Sequence, residues 1–131
     1  MTADVKTAAL ESLSSRFRYS HFVNVVEEPE LNLSPESQRD LLQELIGFVN
    51  ERPENKLVVT THSPYILAAL NNLMYAARVG KKYREAVDRI IPERYWIDPE
   101  TVSAYQLEGG RIVPIVDREI WQVETERIDG V

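Results

Sequence analysis

Two short polar segments carry the side chains of this sequence that are best suited to chemistry. Glu27 and Glu28 stand side by side directly after an apolar run, and His62 follows a second apolar run. Adjacent carboxylates offer a contact for a divalent metal ion and a general base. A nearby imidazole can contact a phosphate group or orient a water molecule. The residue types therefore favour metal-assisted chemistry on a phosphate, provided that the fold brings the segments together.

The hydrophobic pattern predicts the elements that would do so. Residues 21–26 form a β-branched apolar run that predicts a strand buried on both faces, and residues 56–61 predict a second buried strand. Between them, Ser34 and Pro35 are a typical helix start, and leucine and isoleucine recur at helical spacing to about Asn50. A helix of this length between two apolar strands implies a parallel, right-handed crossover.

Such a crossover places the carboxyl ends of both strands at the same edge of the sheet. Neighbouring strands lie about 4.8 Å apart, so we expect Glu27, Glu28 and His62 to converge on one cleft. Ligands of open α/β sheets bind at this edge. We also expect Glu28 to be held in an extended conformation, because it precedes Pro29.

Helical patterns flank this unit on both sides. Residues 3–17 carry an apolar side chain at every fourth position, which predicts an amphipathic helix. Ser63 and Pro64 repeat the cap-plus-proline signal and predict the start of another helix. Residues 80–94 are highly charged and predict a solvated helix.

The pattern changes after Tyr95. Gly109 and Gly110 separate two short apolar runs, which predicts a β-hairpin with a two-residue turn. Residues 117–131 are weakly patterned and predict no definite element. The predicted fold class is therefore α/β, with parallel strands, crossover helices and a C-terminal β-hairpin.

Length and composition are those of one globular domain, over residues 1–131. Apolar residues make up 44% and charged residues 27%, and the absence of cysteine excludes disulfides and a thiolate nucleophile. The 15 basic and 21 acidic residues give a net charge of −6, so we expect no direct contact with nucleic acid. Neither a membrane-spanning stretch nor a secretory signal is visible, so we expect a cytoplasmic protein without a membrane partner.

The two polar segments resemble motifs of a known group of enzymes. The run Phe22-Val-Asn-Val-Val-Glu-Glu-Pro-Glu-Leu-Asn-Leu-Ser-Pro35 resembles the Walker B strand and following loop of P-loop ATPases in the ABC, SMC, RecF and OLD group. The run Val58-Val-Thr-Thr-His-Ser-Pro64 resembles their H-loop, which contains the switch histidine. The pair of motifs, in this order with one helix between them, is specific. The resemblance covers about residues 20–75 and does not extend to residues 95–131, which hold the hairpin.

The resemblance implies a role for each matching residue. Glu27 would be the Walker B acid that holds Mg²⁺, and Glu28 the catalytic base that orients the attacking water. His62 would contact the γ-phosphate of ATP. Asn32 and Ser63, in the loops after the two strands, are assigned to binding of the nucleotide.

The loop over residues 31–34 implies a partner. It matches the D-loop, which in this group of enzymes meets the opposite subunit of an ATP-bound dimer. The resemblance therefore implies a homodimer formed through this loop.

The sequence departs from the group in several places. Glu27 stands where aspartate is commonest, and Ser34 stands where histidine is frequent. No Gly-x-x-x-x-Gly-Lys-Ser/Thr phosphate loop, the Walker A motif, occurs in the chain. We therefore expect the C-terminal lobe of such an ATPase, a partial P-loop NTPase fold. It would be inactive, or nearly so, until a Walker A lobe or a second ATPase subunit completes the site.

Two alternatives use the same residues. The first is a non-catalytic interaction module that keeps the ATPase-like fold and binds a partner ATPase through the D-loop region. The second is a metal-dependent nuclease that uses Glu27, Glu28, Glu30 and His62. The nuclease is the less favoured, because the chain is acidic and lacks the Asp-x-Asp pair of OLD-type nuclease domains.

Overall fold

The computed structural model describes Ala8, which is helical, and residues 22–124. His21 and the rest of the helix predicted over residues 3–17 lie outside the described residues. The described part is mixed α/β, with a parallel pair of strands, helices and antiparallel hairpins. The chain divides into two compact units, Met1–Ile66 and Leu67–Val131. The single domain predicted over residues 1–131 stays a prediction.

The first unit contains the predicted strand–helix–strand crossover. Strand β1 (Val23–Glu27) pairs in parallel with strand β2 (Lys56–Thr60), and helix α1 (Pro35–Val49) connects them. The parallel pairing confirms the prediction, and each strand ends within one residue of its predicted end.

Helix α1 begins where the capping residues predict. The hydroxyl oxygen of Ser34 accepts a hydrogen bond from the backbone N–H of Ser37 at 3.2 Å, and Pro35 occupies the first turn. The carboxylate of Glu36 in that turn interacts favourably with the positive end of the helix dipole. The helix buries one face, formed by Gln38, Leu42, Leu45 and Ile46.

Only one face of the β1–β2 pair is covered within the described part of the chain. Side chains alternate between the two faces of a strand, and helix α1 packs against β2 over the face that includes the half-buried Val26 and Val59. On the other face Val23 and Val25 are 64% and 61% exposed, and Val58 is 48% exposed. The prediction that β1 is buried on both faces is therefore wrong for this second face, and β2, predicted as a buried strand, is exposed there at Val58.

The second unit is built around most of helix α2 (Pro64–Gly80), which begins at the predicted proline. Within this unit, the helix buries the apolar side chains of Leu67, Ala69, Leu73, Met74 and Ala76. Helix α3 (Arg84–Ile90) has no buried residue. The solvated helix predicted over residues 80–94 is thus confirmed for residues 84–90, whereas Gly80 ends helix α2 and residues 81–83 form a turn. In the described residues, no helix combines the length and the apolar character that crossing a membrane requires.

The predicted hairpin is present in the second unit. Strand β3 (Tyr105–Glu108) pairs antiparallel with strand β4 (Arg111–Pro114). The turn residues Gly109 and Gly110 both have positive φ, +56° and +77°. A type I′ turn requires positive φ at both central residues, which explains why both are glycine.

A second, shorter hairpin follows that the sequence does not predict. Strands β5 (Val116–Asp117) and β6 (Gln122–Val123) pair antiparallel. Val123 is only 2% exposed and packs with Leu67 and Ile115 in a small core. The side chain of Asn71 fixes β6 by donating to the carbonyl oxygen of Val123 at 3.0 Å and accepting from its N–H at 2.7 Å.

Candidate functional site

The candidate site lies where β1 and β2 end at the same edge of the sheet. The backbone N–H of Glu28 donates to the carbonyl oxygen of Thr60 at 2.7 Å, which extends the ladder one residue beyond β1. The two loops after the strands therefore leave the sheet side by side. This is the edge at which the sequence predicts the convergence of carboxylates and imidazole.

Glu28 and His62 meet across this edge. The imidazole Nε2 of His62 lies 3.4 Å from the carboxylate Oε1 of Glu28. The His62 side chain is 90% exposed and that of Glu28 is 40% exposed, so both remain accessible to a ligand. A contact this exposed contributes little to stability. It does place a carboxylate that can act as a general base beside an imidazole that can bind a phosphate group.

The backbone of Glu28 is not extended, contrary to the prediction from its position before Pro29. Its φ is +44°, in the left-handed region that favours glycine. The sharp change of direction ends β1 and directs the Glu28 side chain toward His62. Strained backbone of this kind persists where the surrounding structure enforces it, and the Thr60 hydrogen bond is one such constraint.

Glu30 connects the two loops. Its carboxylate Oε1 accepts a hydrogen bond from the backbone N–H of His62 at 3.0 Å. Partial burial acts to raise the pKa of Glu30, but hydrogen bonds from the backbone of Glu30 itself and of His62 outweigh it, and the pKa lies below its ordinary value. The sequence assigns Glu30 only to the nuclease alternative. Its place in the Glu-Pro-Glu turn was the one signal for a role here.

A buried series of hydrogen bonds connects the same two loops on the side that faces the protein interior. The hydroxyl group of Ser63 donates to the side-chain oxygen of Gln38, and the Gln38 side-chain N–H donates to the carbonyl oxygen of Leu33 at 3.1 Å. The same hydroxyl accepts from the N–H of Tyr65 at 3.2 Å in the first turn of α2. The predicted role of Ser63 in nucleotide binding stays a prediction, and its hydroxyl is engaged inside the protein. Gln38 carried no signal in the sequence.

The predicted D-loop region forms a tight turn with an exposed tip. The N–H of Leu31 donates to the carbonyl oxygen of Glu28, and that of Leu33 to the carbonyl oxygen of Glu30, at 3.2 and 3.1 Å. Leu31 is 62% exposed, and the exposed Asn32 has a φ of +61°, which asparagine tolerates better than most residues. The roles predicted for Asn32 and for the loop in dimerisation stay predictions.

Glu27 fits a magnesium ion held by few protein ligands. Its exposed side chain ends β1 opposite the exposed Thr60 on β2, so a carboxylate and a hydroxyl group share one face of the sheet. Mg²⁺ binds oxygen and commonly takes one or two carboxylates, with water and phosphate as its other ligands. Within residues 22–124 no group of three His, Asp or Glu side chains could hold a metal ion.

Comparison with protein-family models gives one match, over part of the chain. Residues 12–68 match the model of the family described as "AAA domain, putative AbiEii toxin, Type IV TA system". The match ends four residues after the start of helix α2, so it includes the whole β1–α1–β2 crossover and both loops of the candidate site. No curated protein and no solved structure gives a significant match. The family match supports a P-loop NTPase-like AAA domain, of nucleotide-binding type, in this part of the chain.

Proposed function

We propose that this chain is the C-terminal portion of an ATPase of the ABC/SMC-like group and contributes to the binding and hydrolysis of Mg-ATP. The observation that carries the proposal is the 3.4 Å contact between Glu28 and His62 at the carboxyl edge of two parallel strands. The family match over residues 12–68 supports it, because AAA domains are P-loop NTPases. In this proposal Glu27 holds the metal, Glu28 is the catalytic base and His62 contacts the γ-phosphate.

Each residue has a task that suits its position. The Glu28 carboxylate, 40% exposed, accepts a hydrogen bond from the attacking water and orients it toward the phosphate. His62, the more exposed partner, donates from its imidazole to a γ-phosphate oxygen. A magnesium ion held by Glu27 supplies charge neutralisation at the phosphates when bound. Asn32, exposed in the loop after β1, makes a further nucleotide contact in this proposal, whereas the Ser63 hydroxyl is bonded to Gln38 and holds the loop after β2 in place.

The proposed site needs a complement from outside this sequence. Phosphoryl transfer depends on a backbone loop and a lysine that cradle the phosphates, and no Walker A motif occurs in the chain. A Walker A lobe or a second ATPase subunit is therefore the proposed partner. The exposed Leu31 at the tip of the D-loop region favours a homodimer contact through residues 31–34. Alone, the chain would hydrolyse ATP at best very slowly.

A nucleotide titration followed by amide chemical shifts tests the proposal. An incomplete site should bind Mg-ATP with a dissociation constant on the order of 1 mM, which nuclear magnetic resonance detects. We expect the shifts to concentrate at Glu27, Glu28, Asn32 and His62. Glu27→Ala should abolish them, whereas Glu54→Ala, which removes an exposed carboxylate from the turn before β2, should not. Scattered shifts, or none in the folded protein, would contradict the proposal.

A non-catalytic interaction module is the second candidate, and the missing Walker A motif favours it. Such a module would bind a partner ATPase through the exposed Leu31 and Asn32 without turning over nucleotide. Leu31→Asp should then abolish association with the partner, while Glu28→Gln should leave both association and the partner's turnover unchanged. A loss of turnover in the assembled complex with Glu28→Gln would exclude this candidate.

A further inference from the structure

The Glu28–His62 contact does not hold itself in place. The His62 side chain is 90% exposed, so packing leaves its ring free to rotate away from Glu28. An exposed contact of this kind contributes too little to stability to order a loop. Something else must fix the segment of chain from which the imidazole extends.

Glu30 provides that constraint. Its Oε1 holds the backbone N–H of His62 at 3.0 Å, across 32 positions of the sequence. Glu30 and Glu28 belong to the same turn, because the N–H of Leu31 donates to the carbonyl oxygen of Glu28 at 3.2 Å. Glu30 therefore fixes the backbone of His62 relative to the turn that carries Glu28.

The Glu30 carboxylate is suited to a permanent task of this kind. Its lowered pKa keeps it ionised through the neutral range, and a hydrogen bond to a charged acceptor is stronger than one to a neutral acceptor. Its second oxygen, Oε2, is buried and has no hydrogen-bond partner among the described residues. The Oε1 oxygen binds the His62 backbone directly, and the carboxylate also has hydrogen bonds with its own backbone N–H and with the side chain of Thr61, the residue before His62.

We propose that Glu30 is a positioning residue that holds the His62 backbone so that the imidazole stays beside Glu28. A role of Glu30 in catalysis rests on the proposed function, because Glu28 and His62 act on nucleotide only in that proposal. The positioning itself exists without nucleotide and is measurable without it.

The ring nitrogen chemical shifts of His62 test the positioning in the nucleotide-free chain. The only other histidine is His21, and His62→Ala assigns the signals. Glu28→Ala should shift the His62 ring nitrogens toward those of an unpaired imidazole, and Glu30→Ala should shift them in the same direction. In Glu30→Gln the His62 ring nitrogen shifts should stay close to those of the wild type, because the amide oxygen of glutamine still accepts a hydrogen bond from the His62 N–H. Replacing Oε2 by the amide nitrogen removes no hydrogen bond found in the described residues.

A double variant separates positioning from a general loss of structure. In the Glu28→Ala background, Glu30→Ala should produce no further ring shift, because the contact that Glu30 maintains is already gone. The amide signal of Glu28, bonded to Thr60 at the end of the ladder, should remain in place in Glu30→Ala and report an intact sheet edge. Unchanged ring shifts in Glu30→Ala, or an equal change in both backgrounds, would overturn the proposal.

Mg-ATP then separates the two proposals. When Mg-ATP is added, the Glu30→Ala variant should show the nucleotide-induced shift at Glu27 but not the one at His62. The Glu30→Gln variant should show both shifts, as the wild type does. If the wild-type chain shows no nucleotide shifts but the ring signals respond as expected, the proposed function fails and the positioning role stands. If nucleotide shifts occur and Glu30→Ala leaves those at His62 intact, the positioning role fails alone.

Discussion

The hydroxyl group of Ser63 donates a hydrogen bond to the side-chain oxygen of Gln38, and both residues are buried. Gln38 in turn binds the carbonyl oxygen of Leu33, so the loop after β1 and the loop after β2 share one buried polar chain. Glu30 and His62 join the same loops nearer the surface. The two connections preorganise the edge that carries Glu28, so less ordering remains to be done when a ligand binds.

Replacement of Ser63 by alanine should lower the free energy of unfolding more than the same replacement at Ser34. Ser63→Ala deletes a helix cap and leaves the buried Gln38 oxygen without its donor, so we expect a loss of about 2–3 kcal/mol in the free energy of unfolding. Ser34→Ala deletes an exposed cap only, at a cost of about 1 kcal/mol. Urea unfolding of both variants measures the difference. Equal losses would show that the Ser63–Gln38 bond adds nothing to the cap.

Glu28→Gly should stabilise the protein while it removes a proposed catalytic group. Glycine adopts positive φ without the steric strain that Glu28 carries at +44°, and relief of such strain is worth about 1 kcal/mol after the greater flexibility of unfolded glycine is counted. Glu28→Ala is the matched control, because it removes the carboxylate and retains a Cβ atom. In thermal unfolding, Glu28→Gly should have a higher midpoint temperature than Glu28→Ala. The reverse order would mean that the turn carries no strain.

The crossover was predictable because its signals are local. Apolar runs, the Ser34-Pro35 start and the helix length determine a parallel pair, and a parallel pair determines that Glu28 and His62 meet. The left-handed backbone of Glu28 was not predictable, because the rule for residues before proline favours the extended form and the hydrogen bond to Thr60 overrides it.

Contacts between distant residues account for most of what the sequence did not reveal. Gln38 looks like a polar surface residue of an amphipathic helix until Ser63 and Leu33 supply its partners. Strand β6 is only two residues long, too short for an alternating pattern, and Asn71 holds it from 52 positions away. Such partners exist only once the chain has folded, so no local pattern encodes them.

The lowered pKa of Glu30 predicts a specific dependence of stability on pH. A carboxyl group whose pKa is lower in the folded state contributes stability above its unfolded pKa and loses it as the pH falls through its folded pKa. The wild type should therefore exceed Glu30→Gln in unfolding free energy at neutral pH. The excess should shrink once the pH enters the ordinary glutamate range and vanish below the folded pKa. Urea unfolding across that range measures it, and an excess that grows toward acid would contradict the assignment.

The effect of substitutions in the turn between β3 and β4 on stability should depend on backbone conformation alone. Nothing lies within 4 Å of a Cβ atom added at Gly109 or Gly110, so a substitution there meets no steric obstacle beyond its own φ. Gly110→Ala should cost about 1 kcal/mol, because alanine is strained at +77°. Gly109→Asn should be nearly neutral, since asparagine is common at the first position of a type I′ turn. A neutral Gly110→Ala, measured by urea unfolding, would indicate another turn type.

The open face of the β1–β2 pair can be probed with threonine, which has nearly the shape of valine and a similar preference for strands. A hydroxyl group at an exposed position stays solvated, whereas a buried one without a partner costs about 1–3 kcal/mol. Val25→Thr should therefore change the unfolding free energy by less than about 0.5 kcal/mol, and Val26→Thr, on the half-buried face toward α1, should cost at least about 1 kcal/mol. Equal costs in the monomer would mean that the Val25 face is covered in solution. A cost for Val25→Thr that grows with protein concentration would identify a second copy as the cover, because association stabilises the folded state by mass action.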